Sequence, residues 1–386
     1  MIEAAETLAR LVAFPTVAGE PNAALIGWLA EQLSELGARV RVLDGAQAGR
    51  ANLFASLGPD SGDGIVLSAH SDVVPVAGQD WSSDPFALTE RTDGRLHARG
   101  AVDMKGFLAC ALAAAARAAD PPLGRPLHLA VSHDEELGCV GVRTMLDTLA
   151  REGFRASGCI VGEPTDMQVV LGHKGKLAGR ILCLGEAAHS ANPARGCNAI
   201  NLAAAMVRQT ERLQRWLREH GVWDDSYEVP SSTVHIGTIQ GGTALNVVPD
   251  RCEMAFEMRL VPGEEPESLL GKLRRAARRV TAPARAGGRN ARVEIEVGNA
   301  YPGLAMPDGG PFVAFVRSAA PVRSSGRERV DFGTEGGLFR QRLGLPTVVC
   351  GPGSIGRAHR ADEYITRAEL AARDAFLDRI LETLAA

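Results

Sequence analysis

Pro126-Leu-His-Leu-Ala-Val-Ser132 runs directly into His133-Asp134-Glu135-Glu136, and this junction decides how the rest of the chain is read. The first stretch is the short apolar run of a buried strand. The acidic residues that follow would repel one another without a cation nearby. They can also complement the positive end of a helix, one of which is expected near Val140–Arg151. An apolar strand followed at once by polar ligands is the layout of an open α/β sheet, whose sites lie outside the carboxyl ends of its strands.

That layout recurs along the chain. Ile65–Ala69 leads to His70-Ser-Asp72, Gly158–Gly162 to Glu163-Pro164, and Thr347–Cys350 to the loop that holds His359. Asp103 stands in Gly100-Ala-Val-Asp103-Met-Lys-Gly106, before the alanine-rich helix expected at Phe107–Ala119. Singly, these residues have bland explanations, such as a structural histidine at a strand end or a helix N-cap. Jointly, His70, Asp103, Glu136, Glu163 and His359 offer two imidazoles and three carboxylates, which suit a pair of zinc-like ions better than one. Glu135 is then free to act as general base on a metal-activated water, returning the proton to the leaving group. The carboxylate of Asp72 would steer the second nitrogen of His70.

Around these motifs the first third alternates helix and strand. A helix is expected at Asn22–Leu36, strands at Arg39–Leu43 and Asn52–Leu57. The middle differs: strands at Lys176–Leu184, Thr233–Thr238 and Val247–Arg259 interleave with helical patterns at Ala199–Glu219 and Glu265–Val280. After Arg292 the α/β pattern returns with a strand at Val293–Val297 and helices at Gly310–Ala319 and Ala368–Leu384. The expected fold is α/β, a doubly wound mixed sheet in a catalytic domain (residues 1–174 and 291–386). It is interrupted by an α+β insertion, an antiparallel sheet plus two helices, at 175–290.

Bulk properties narrow the classes. The 386 residues, 45% of them hydrophobic, can support a sizeable core. A net charge of −4 argues against a general nucleic-acid or membrane-surface binder. The basic stretch Lys272–Arg292 fits the solvated face of an amphipathic helix. No run of about 18 apolar residues is found, and the opening Met-Ile-Glu-Ala-Ala-Glu lacks the basic and apolar parts of a secretory signal. Seven scattered cysteines without Cys-x-x-Cys fit reduced, buried thiols, and the expected compartment is the cytoplasm. Gly351-Pro-Gly353-Ser-Ile-Gly356 matches a dinucleotide fingerprint after a strand, but too little chain follows for the βαβ unit it needs.

At this point the motifs resemble the zinc amidohydrolases that include acetylornithine deacetylase, succinyl-diaminopimelate desuccinylase and aminoacylase. His70-Ser-Asp72, Gly100-x-x-Asp103-Met-Lys-Gly106, Asp134-Glu135-Glu136, Gly162-Glu163-Pro164 and His359 carry the resemblance. So do Ala188-His189-Ser190 and Gly241-Gly-Thr-Ala-Leu-Asn246-Val-Val-Pro249 in the inserted part. The resemblance implies one divalent ion on His70 and Glu163, another on Glu136 and His359, and Asp103 bridging. Zinc is the first choice, with cobalt or manganese tolerated by the same ligands. It further implies a homodimer through the inserted domain, with His189 stabilising the oxyanion in the partner's site. Asn246 and Arg259 would grip a substrate carboxylate, and Glu335 would face a cationic side chain. Gly333-Thr334-Glu335 and Cys350–Tyr364 look like the acetylornithine deacetylase branch, so the expected substrate is a small N-acyl-L-amino acid, N-acetyl-L-ornithine first. The rivals are a deacylase or peptidase acting on another substrate, such as N-succinyl-diaminopimelate, and a non-catalytic metabolite-binding paralogue.

Overall fold

The computed structural model describes residues 3–119, 122–321 and 328–385. It divides into two compact units, one built from 1–173, 304–330 and 334–386, the other from 174–303 and 331–333.

The first unit is organised by a six-stranded mixed sheet in the order Arg39–Asp44, Ala51–Leu57, Leu127–Ser132, Ile65–His70, Gly158–Val161, Thr347–Val349. The last four of these run parallel to one another, and Ala51–Leu57 is antiparallel to both its neighbours. The inner strands are buried along their whole length, as sheets covered on both faces require, and their sequences are accordingly near-continuous apolar runs. One helix group, Ala4–Val12, Gly106–Ala118 and Arg367–Ala385, packs together; Val142–Arg151 packs with Gly336–Leu343. Alanines fill the middle helix of the first group, and small side chains let it be buried almost completely. Because the four strands are parallel, His70 and the segments after Ser132, Val161 and Val349 all leave the sheet at one edge. The glycine run 351–356 leads only into the single 3-10 turn Ile355–Arg357, so no nucleotide-binding helix follows it.

His128 sits on the strand before the acidic segment, its Nδ1 2.8 Å from Ser56 Oγ, its ring stacked on Phe54 and edge-on to Phe154. Burial pushes its imidazole down to about 4, with help from Arg39. The unfolded chain therefore binds a proton between about pH 6.5 and 4 that the folded chain refuses, and stability present above that window is lost as pH falls through it. Between pH 7 and 5 the loss from this group is about 2 kcal/mol. Urea unfolding of His128→Gln should show a smaller drop over that interval than the parent; an equal drop would remove His128 as the cause.

The second unit is an antiparallel sheet in the order Thr233–Gly241, Arg251–Leu260, Gly175–Leu184, Arg292–Tyr301, carrying the helices Ala199–His220 and Pro266–Ala286. Arg251–Leu260 alternates strictly, with Cys252, Met254, Phe256, Met258 and Leu260 inside. One buried face and one open face follow from that period of two. Asn198 caps the first helix, its side chain accepting from the backbone of Ile200 and Asn201.

Two sequence expectations change here. Arg292–Tyr301 pairs with Gly175–Leu184 inside this antiparallel sheet and does not return to the α/β sheet, so the inserted unit runs to Gly303 rather than to about 290. The run expected as one strand from Val247 to Arg259 is broken at Pro249-Asp250: Val247–Val248 pairs with Ala188–His189, and only Arg251–Leu260 joins the large sheet. Proline has no N–H to give a ladder, which makes it a natural break point. No helix among the described residues is long and apolar enough to cross a membrane.

Candidate metal centre

The five proposed ligands converge at the shared carboxyl edge of the first unit. His70 closes its strand and is almost fully buried. Its Nε2 faces Asp103 Oδ1 at 3.1 Å and Glu163 Oε1 at 3.6 Å. His359, at the far end of the loop after Thr347–Val349, has its Nε2 3.2 Å from Asp103 Oδ2 and 3.0 Å from Glu136 Oε1. Asp103 thus turns one oxygen to each imidazole, as a bridging carboxylate must. Glu163 is brought in by Gly162, where a Cβ would fall 2.1 Å from the ring of Phe107. Only glycine lets that loop settle onto the helix below it.

Does this donor set fit two cations? Ligand atoms about 2.1 Å from a tetrahedral ion lie about 3.4 Å from one another. The 3.0–3.6 Å separations here are of that size. Donor atoms of His70, Asp103 and Glu136, and separately of His70, Glu135 and Glu163, all lie within 4.8 Å of one another. The electrostatics agree. Burial, then Asp103, pushes Glu163 well above the usual carboxylate range, and the same two causes raise Glu136. Burial would raise Asp103 as well, but hydrogen bonds from His359 and His70 carry it below that range. Hydrogen bonds to Asp103 and Glu136 lift His359 to about 10. The acids push both imidazoles toward the charged form, a compensation that dications would supply while leaving the rings neutral as ligands. The residues fit the group.

Asp72 acts differently from the sequence expectation. His70 Nδ1 bonds to the backbone carbonyl of Asp72 at 2.9 Å, while the Asp72 carboxylate stands 3.7 Å from that nitrogen. The carboxylate instead accepts the backbone N–H of Glu135 on Oδ1 and of Glu136 on Oδ2, each at 3.1 Å. Asp134, at φ +52°, turns away and is held by the N–H of Gly19 and by Arg50. The acidic triplet is therefore split: one acid held by Gly19 and Arg50, two with their amides staked to Asp72. Burial pushes the Glu135 carboxyl up to about 8. The thiol of Cys139 donates to its Oε1 at 3.1 Å, a contact no sequence signal announced.

The model of peptidase family M20/M25/M40 matches residues 66–383. The chain belongs to that family. It is accordingly a metal-dependent hydrolase of amide or peptide bonds. The M20 fold is also that of an M20 family metallo-carboxypeptidase from Sulfolobus solfataricus, with 21% identity, a TM-score of 0.81 and 99% of each chain covered. A tripeptidase from Staphylococcus aureus matches at 21% identity and TM-score 0.77, covering 99% of this chain and 98% of that one. A dinuclear metal-binding M20 peptidase from Bacillus subtilis matches at 18% identity and TM-score 0.66, covering 99% of this chain and 97% of that one.

The remaining expected site residues of this M20 chain fall in both units. Glu335 lies in the first, 2% exposed, its Oε2 accepting from Ser68 at 3.3 Å, and burial raises it to about 7. His189 and Asn246 meet in the second unit, where Ala188–His189 pairs with Val247–Val248 and Ser190 N–H donates to Asn246 O. His189 Nδ1 accepts from Ala191 N–H at 3.1 Å, which leaves Nε2 as the nitrogen available to donate. Arg259 is engaged by Glu257 at 2.7 Å and by the Tyr301 hydroxyl at 3.3 Å.

Proposed function

We propose that the chain hydrolyses an N-acyl-L-amino acid, with N-acetyl-L-ornithine as substrate and L-ornithine and acetate as products. The observation that carries the chemistry is Glu135, a buried carboxyl beside the five converging ligands, held by its amide and by Cys139. When bound, two divalent cations supply Lewis acidity and a water that ionises near neutral pH. With that water attacking the acyl carbon, Glu135 would accept its proton and return it to the nitrogen as the C–N bond breaks. His189, whose Nδ1 accepts from Ala191 N–H and leaves Nε2 to donate, suits the oxyanion role in a partner subunit. Exposed apolar side chains support a homodimer through the inserted unit: Ile239 on the edge strand is 53% exposed and Leu245 fully exposed. Asn246 and Arg259 are assigned to the substrate carboxylate. For Arg259 this means sharing a guanidinium that Glu257 already occupies on one side.

The ornithine assignment rests on the C-terminal segments and on Glu335. Its Oε1 is buried without a hydrogen-bond partner and Glu335 is close enough to raise Glu135, so a cationic side chain would find a second carboxyl near the base. Amine release from N-acetyl-L-ornithine, N-succinyl-diaminopimelate, N-acetyl-methionine and a dipeptide, after chelation and reloading with zinc or cobalt, tests it. Restored activity should be greatest on acetylornithine. A stronger rate on another acyl amino acid would move the specificity, and one on the dipeptide would make the chain a peptidase. Two bound metals with no turnover on any would point to a metabolite-binding paralogue.

A further inference from the structure

Asp103 and His359 reach the centre on loops far apart in sequence, yet both hang on one buried ion pair. Arg99 is 1% and Glu363 2% exposed, and Arg99 Nη1 meets Glu363 Oε2 at 2.5 Å. The other oxygen of Glu363 accepts the backbone N–H of Val102 at 2.9 Å and of Asp103 at 3.1 Å. From its second edge Arg99 reaches Gln79 Oε1 at 2.5 Å, and it also reaches the carbonyl of Arg360 at 3.3 Å. Gln79 in turn donates from Nε2 to the carbonyl of His359 at 3.1 Å. The ring of Trp81 lies 5.0 Å from the Arg99 guanidinium and completes its enclosure.

A buried ion pair is weak evidence of stabilisation, since desolvation offsets most of its attraction. This one is unusual in where its bonds end. They lead, directly or through Gln79, to the backbone of a metal ligand or of its immediate neighbour. His359 needs such support: its side chain is 51% exposed, its backbone has φ +62°, and it lies in the loop between Thr347–Val349 and Tyr364–Thr366 rather than at a strand end. By contrast His70 closes a buried central strand, and Glu163 follows a buried strand with Gly162 packed on Phe107.

We propose that Arg99, Glu363 and Gln79 are positioning residues that lock His359 against the Asp103 bridge and thereby set the affinity of the Glu136–His359 cation site. The His70–Glu163 site draws its geometry from the sheet. The inference rests on the two-cation centre of the proposed function, but its test is separable from that reading.

The test is a zinc or cobalt titration of the apo full-length chain and of Glu363→Gln, Arg99→Lys and Gln79→Ala, with cobalt spectra reporting each site's ligand geometry. Lysine keeps the charge but loses the planar fork that serves Glu363, Gln79 and Arg360 at once. Outer-shell changes of this kind cost about 10–100-fold in metal affinity. That loss is expected at the Glu136–His359 site, with the His70–Glu163 site within about threefold of the parent and its cobalt spectrum unchanged. Turnover should return with excess metal. Gln79 is half-buried and its removal deletes only side-chain bonds, so this variant keeps the test decisive should Glu363→Gln fail to fold. Equal weakening of both sites, or of neither, overturns the proposal. A parent chain that binds a single cation would instead defeat the two-cation reading itself.

Discussion

Glu135→Gln is expected to keep both cations and lose about 10²–10⁴-fold in kcat, the range that general acid–base catalysis supplies. Glutamine matches the shape of the carboxyl and can still accept the Cys139 thiol, so the loop should hold its form. Its amide cannot take a proton from water or return one to an amine. Metal content decides between two roles for this residue, because Glu135 also lies within 4.8 Å of the donor atoms of His70 and Glu163. Two cations retained, with normal affinity and lost turnover, identify the base. A cation lost together with turnover would make Glu135 a ligand. A rate near that of the parent would leave the hydrolysis without its proton carrier, and the mechanism would have to be abandoned.

The parts of this centre that were legible in the sequence are those where local pattern and global position coincide. Strands buried on both faces read as unbroken apolar runs, so Ile65–His70 and Leu127–Ser132 stand out, and the polar residues at their ends stand out with them. The parts that were not legible depend on partners brought in by folding. Glu363 looks like a surface charge in Asp362-Glu363, and nothing local tells of Arg99, 264 residues away. The strand Arg292–Tyr301 announces itself by alternation but not its neighbour, so its sheet was misassigned. Asp134, Glu135 and Glu136 suggested mutual repulsion, which is right for two of them. Asp134 escapes it through Arg50, 84 positions earlier. Asp72 is the most instructive case: His-x-Asp spacing suggests contact between the two side chains, yet the backbone carbonyl fills that place and frees the carboxylate for other work.

That other work leads to the second large effect. Asp72→Asn should lower kcat by roughly 100-fold, the scale on which small misplacements of catalytic groups act, while leaving the His70–Glu163 cation bound. An asparagine has one acceptor oxygen where the carboxylate uses two, so one of the Glu135 and Glu136 amides would meet an NH2 group instead. Two donors face to face, one of them left unsatisfied, cost about 1–3 kcal/mol and push the loop away. The displaced residues are the proton carrier and a ligand of the Glu136–His359 pair, so turnover should fall further than metal affinity does. His70 keeps its bond to the backbone of residue 72, because the substitution does not touch that carbonyl. The alternative is equally specific: a carboxylate that steers the imidazole would, when neutralised, weaken the His70 site and spare kcat at saturating metal. Cation affinity and kcat measured on the same variant therefore decide which atoms of Asp72 the enzyme uses.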